Sequence, residues 1–197
     1  MTGADGVRMA SAGGALLERA LSYTLGTVHR VTPHTLSWPT PCSEWDLRAL
    51  LNHINDSLDT LQEAVESGCI ELHQPNACGD LPADLVTAFR CRARRLLGAW
   101  TAAAERDRII AIGGLPLVAS IVAGAGAIEI AVHGWDISRA CGQRRPIPST
   151  LAAEMLEISS LTVTGSSRRP LFAAPVAVSP LAGPSDRLIA FLGRDPG

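Results

Sequence analysis

Apolar residues recur along this chain at intervals of three and four over several long stretches, the spacing that gathers them on one face of a helix. The first stretch, Ala15 to Val31, carries Leu16, Leu17, Ala20, Leu21, Leu25 and Val28 on such a face, and Pro33 closes it. Residues 32–41 hold three prolines and read as a loop. A second stripe follows through Leu47, Leu50, Leu51, Ile54, Leu58 and Leu61. Ser43, with Asp46 three residues on, reads as its capping box, and Gly68 as its stop. Residues 69–81 are rich in loop formers, so a third helix is expected from Pro82 to Glu105, with Leu85, Phe89, Leu96 and Trp100 inward. Arg108 to Pro116 contains Ile-Ile-Ala-Ile, a Gly-Gly turn and Leu-Pro, the signature of a small β-hairpin. A fourth helix is expected from Val118 to Cys141, stopped by Gly142, and a fifth from Ser149 to Val163. Ser166 to Pro184 is Pro/Ser-rich with an extended piece at Pro175–Ser179, and Asp186 to Leu192 reads as a last short helix. Four long helices with short extras describe an all-α, antiparallel four-helix bundle with a small hairpin. The domain reading is a disordered N-terminus (1–12), a bundle (13–165) and a C-terminal extension packed on it (166–197).

Composition narrows the function classes. Hydrophobic residues make up 47% of the chain and charged ones 18%, which excludes disorder for most of it. A formal charge of −2 gives no electrostatic footprint for nucleic acid or an anionic membrane. The local clusters Arg90–Arg95 and Arg144–Arg145 are interleaved with apolar residues and read as solvated helix faces or ends. The N-terminus lacks a basic segment followed by an apolar one, so a cytoplasmic location is expected. The run from Leu115 to Val132 has nearly the length of a membrane span, but Glu129, Gly124 and Gly126 make it a buried bundle helix. Five cysteines without a Cys-x-x-Cys pair fit reduced thiols. Cys42 precedes a helix start, where the dipole favours a thiolate; its plainer role is that of a small buried hydrophobe.

The chemistry concentrates in the fourth helix. Between Arg108 and Asp136 the one formally charged side chain is Glu129, and His133 follows it by four residues, on the same helix face. A carboxylate in so apolar a segment costs several kcal/mol unless a positive group meets it. No Lys or Arg of the segment does so. A divalent metal would; so, in part, would a hydroxyl or His133 itself. His29, His34 and His73 fall in loops or at helix ends, whereas His53 lies inside the second helix beside its apolar stripe. His53, Glu129 and His133 form a two-histidine, one-carboxylate set, which with an open fourth position is the pattern of catalytic zinc. Nickel or iron would accept the same donors. Asp136, one turn beyond His133, is placed to orient the imidazole from behind or to pair with Arg139 or Arg145 at the helix end. Trp45 and Trp135 read as core aromatics.

The segments PTPCSEWDLRALLNH (39–53) and EIAVHGWDISRACG (129–142) resemble the DinB-like family, and more narrowly its actinobacterial branch related to the N-terminal domain of mycothiol-dependent maleylpyruvate isomerase. The ending DRLIAFLGR (186–194) is similar to the ending of that branch's stand-alone members. The resemblance implies a DinB-like bundle and a divalent metal held by His53, Glu129 and His133. It implies no single reaction, since members include thiol transferases, thiol-dependent isomerases and proteins of unknown activity. That isomerase carries a separate C-terminal domain which this chain lacks, so maleylpyruvate isomerisation is not expected. The apolar hairpin points to a hydrophobic substrate. The expected function is a metal-dependent enzyme joining or using a low-molecular-weight thiol, mycothiol or a similar one, on an apolar electrophile. A thiol-independent isomerase or cyclase of secondary metabolism and a non-catalytic metal-binding protein are the alternatives. The expected partner is a small-molecule substrate, and a homodimer is left open.

Overall fold

Asp46 starts the helix that carries the first candidate ligand. Its backbone is extended and its carboxylate accepts from the amide of Ala49 at 2.8 Å, so helix α2 runs Leu47–Ser67. This replaces the capping box expected over Ser43 to Asp46. Pro39 and Asp46 pair in an antiparallel bridge and the Leu47 amide donates to the Trp38 carbonyl at 2.9 Å, which keeps the chain extended up to the cap. Ser43 itself lies outside the residues described. The structure, a computed structural model, describes residues 3–42, 45–70, 84–103, 109–163, 168 and 172–197.

Helix α1 spans Gly3–Val28, starting ahead of the expected Ala15 and ending before Val31 because the amides of Arg30 and Val31 turn back to Thr27 and Val28. Gly68 stops α2 in the left-handed conformation (φ 75°). Helix α3 covers Leu85–Ala103, and Asp84 accepts from the amides of Val86 and Thr87 at its start; Pro82 and Glu105 lie outside the described residues. The hairpin forms as β2 (Ile109–Ile112) and β3 (Leu115–Val118) around Gly113 and Gly114, whose φ of 54° and 82° suit a tight two-residue turn. A further strand, β1 (Cys69–Ile70), pairs parallel with β2 where a loop was expected. Two residues are too few to leave a period in the sequence. Helices α4 (Ala119–Ala140), α5 (Ser149–Thr162) and α6 (Pro184–Phe191) complete the order. Pro175–Ser179 forms no strand; the Val176 amide donates instead to the Ala190 carbonyl at 2.9 Å. The apolar run Leu115–Val132 divides between β3 and α4, and among the described residues no helix is long and apolar enough to cross a membrane.

Four helices, α1 to α4, enclose a core that includes Leu17, Leu21, Leu50, Ile54, Leu58, Phe89, Leu96, Ile130 and Ile137, all fully buried. Burying each such side chain contributes about 1.5–3 kcal/mol. Contacts fix the helix directions. Gly13 meets Ser120 and Gly134 meets Thr24, so α1 and α4 run the same way. Asn55 bonds Leu85 and Asp59 meets Arg92, so α2 and α3 also run together. Leu61 against Gly126 and His53 against His133 make α2 antiparallel to α4, and Gly14 against Trp100 makes α1 antiparallel to α3. The bundle is antiparallel pair against pair, up-down-down-up along the chain.

Helix α4 is held close on both sides. A Cβ on Gly13 would fall 2.8 Å from the Ser120 carbonyl oxygen, and one on Gly134 would fall 2.4 Å from Thr24 Oγ1. That hydroxyl donates to the Ile130 carbonyl at 2.9 Å. A Cβ on Gly126 would lie 2.6 Å from Leu61. With one face against α1, α4 turns Glu129 and His133 toward α2. Gly134→Ala is therefore expected to lower stability by about 1–3 kcal/mol in denaturant unfolding, the usual range for overpacking. Gly98→Ala, where nothing lies within 4 Å of the added methyl, is expected to raise stability by up to about 1 kcal/mol through helix propensity.

Candidate metal centre

On α2 the inward positions are taken by Leu50, Ile54 and Leu58, and His53 stands beside them with 37% of its side chain exposed. On α4 Glu129 and His133 lie one turn apart, 34% and 7% exposed. The antiparallel crossing brings the three together. His53 Nε2 is 2.5 Å from Glu129 Oε1, and His133 Nε2 is 3.1 Å from the same oxygen. One nitrogen or oxygen from each residue lies within 4.8 Å of the others. His133 forms the floor, while His53 and Glu129 stand at the open side. The Trp45 ring lies 4.5 Å from the ring of His53 and 6.0 Å from that of His133. It thus walls the cluster instead of serving only as a core aromatic. Trp135 is buried in the core as expected. His29 and His34 are exposed and His73 lies outside the described residues.

Asp136 is fully buried behind the cluster, and the His133 Nδ1–H donates to its Oδ2 at 3.0 Å. Its cationic partner is neither Arg139 nor Arg145. Arg139 lies over the Trp135 ring, and Arg145 reaches the Tyr23 ring and donates to the Gly26 carbonyl. Arg194 takes that place, with Nε 3.0 Å from Oδ1 and Nη2 2.9 Å from Oδ2. Sequence reasoning noticed the ending that contains Arg194 but gave that residue no role. The available signal was Gly193. With φ 85° it follows the end of α6, and the amides of Gly193 and Arg194 donate to the carbonyls of Ala190 and Ile189. This double bond is the Schellman stop, and it turns the next side chain back toward the bundle. Cys42 Sγ lies 3.4 Å from Asp136 Oδ2 and 3.3 Å from Arg194 Nη2, so the thiol belongs to this polar layer and is not merely a small hydrophobe.

Burial opposes charge on Glu129, His133 and Asp136, and their partners outweigh it. Hydrogen bonds from His133 and His53, with their charges, hold the Glu129 carboxyl well below the usual carboxylate range. Bonds to Asp136, Cys42 and Glu129 lift His133 well above an ordinary imidazole. Asp136 is lowered by the bond from His133 and the charge of Arg194. The donor chemistry fits a metal. With His133 Nδ1–H committed to Asp136, its Nε2 faces a carboxylate oxygen, and a proton or a metal ion has to stand between two such acceptors. Two imidazole nitrogens and a carboxylate suit zinc and other first-row divalent ions. The hairpin contributes nothing to this mouth. Val118 precedes Glu129 by eleven residues, about 16 Å along the helix, so its apolar character says nothing of the ligand.

The chain is similar to two uncharacterized proteins from two strains of Mycobacterium tuberculosis, each 28% identical over 188 residues, covering 90% of this chain and 94% of the relative. No solved structure matches it. A family model, that of the mycothiol maleylpyruvate isomerase N-terminal domain, matches residues 17–138, a span that holds His53, Glu129, His133 and Asp136. With that match over more than half its length, the chain belongs to the mycothiol maleylpyruvate isomerase N-terminal domain family.

Proposed function

We propose that this protein is a cytoplasmic enzyme that holds one divalent metal ion, zinc in the first place, on His53, Glu129 and His133, and uses a low-molecular-weight thiol on an apolar electrophile. The observation that carries the reading is the meeting of His53 Nε2, His133 Nε2 and Glu129 Oε1 at one point, with His133 Nδ1 already engaged by Asp136. A bound divalent ion would supply an open position at which a thiol is kept as thiolate at neutral pH. The chain's own residues do the rest. His133 and Asp136 form a rigid floor, and the partial exposure of His53 and Glu129 leaves one side accessible. The Trp45 indole offers an apolar wall beside both imidazoles for the electrophile. Mycothiol is the thiol that the family's name suggests.

Elemental analysis of the purified protein is expected to give one divalent metal per chain, and Glu129→Ala to lose it; a metal-free wild type of unchanged stability in Glu129→Ala would refute the metal. Because His133 must give up a proton to bind, and its proton is held more tightly than usual, zinc affinity is expected to fall as pH is lowered, by about tenfold per unit for one displaced proton. Thiol conjugation to monobromobimane is expected with metal-loaded protein and not with the chelated protein or His53→Ala. Equal background rates in all three, with metal retained in the wild type, would favour a thiol-independent isomerase or cyclase or a binding role.

A further inference from the structure

Arg194 lies far along the chain from the metal-binding set, yet the turn after α6 delivers it to the back of that set. Its side chain is only 12% exposed and that of Asp136 is fully buried. Nε and Nη2 grip Asp136 at Oδ1 and Oδ2, at 3.0 Å and 2.9 Å, and this two-pronged contact fixes the plane of the carboxylate. Oδ2 then accepts the Nδ1–H of His133. Nη2 also reaches Cys42 Sγ at 3.3 Å, so one guanidinium ties the approach to α2 to the end of α4.

We infer that Arg194 is a positioning residue of the metal centre: through Asp136 it sets the rotation and tautomer of His133, so that Nε2 is the atom offered to the metal. The inference rests on the reading of His53, Glu129 and His133 as ligands. It makes the C-terminal helix a working part of the site. The role is more specific than holding two segments together. The surface pair Arg19 and Glu154 also joins distant helices, but it touches no ligand. Outer partners of metal-bound histidines act through orientation, and their loss costs about 10–100-fold in affinity.

The test is zinc affinity of the full chain, measured by competition with a chromophoric chelator. Arg194→Gln and Asp136→Ala are each expected to weaken zinc about 10–100-fold. The double variant is expected to be no weaker than Asp136→Ala alone, because Arg194 acts through Asp136. Arg194→Lys recovers part of the loss, since an ammonium cannot grip both oxygens in one plane, and Arg19→Gln binds as wild type. The visible spectrum of the cobalt-loaded protein is expected to change in Arg194→Gln, which a purely structural role would not cause. Circular dichroism of the metal-free variants checks folding, and if Arg194→Gln unfolds, Arg194→Lys carries the comparison. Wild-type affinity in the Arg194 variants, or losses that multiply in the double variant, would overturn the inference alone. A wild type without zinc affinity would end the metal reading and this inference together.

Discussion

Helix α4 can present Glu129 and His133 to α2 because glycines let its neighbours approach it closely. Gly134 lets Thr24 reach the Ile130 carbonyl, and Gly126 admits the Leu61 side chain. Between these contacts the helix has little freedom to rotate. Its remaining face, with Glu129 and His133, is directed at α2. A slide of one residue on the partner helix would shift the ligands by about 1.5 Å and turn them by a quarter of a helical turn. The glycines and the small pocket at Thr24 thus decide the site geometry, though none of them touches it.

Much of this was legible from pattern alone. The stripes of α1, α2 and α3, the Gly-Gly hairpin and the isolated Glu129 with its i+4 histidine are strong local signals, and the elements they imply are present. Asp46 was recognised as part of a cap but given the wrong place in it, because Ser43 offers an equally good box and only the bridge from Pro39 chooses between them. Strand β1 was invisible, being two residues that pair with a strand far along the chain. The antiparallel bundle was expected, but which helices run side by side in the same direction was not, since periodicity says which face is buried but not which neighbour buries it. The role of Asp136 was anticipated in kind, but its cation was sought nearby in Arg139 and Arg145, whereas the turn at Gly193 brings in Arg194 from far along the chain.

The layering of the site has a simple electrostatic logic. At the open side two imidazoles surround one carboxylate, and behind them a second carboxylate is shared by an imidazole and a guanidinium. Carboxylates and nitrogen-bearing side chains alternate from the surface to the interior. The residues matched by the family model end at 138, before the guanidinium that closes this alternation. The inner end of the site is therefore closed by a residue outside the matched span.

The parallel pairing of α1 with α4 also bears on how the molecule is made. The hydroxyl of Thr24 bonds a carbonyl 106 residues further on, so the tightest helix pair is among the most distant in sequence. Such contacts close large loops and form late. During synthesis α1 leaves the ribosome first and waits for α2, α3 and the hairpin before its partner emerges. In that interval the face of α1 that includes Leu17 and Leu21 lacks the helix that approaches it most closely in the finished fold.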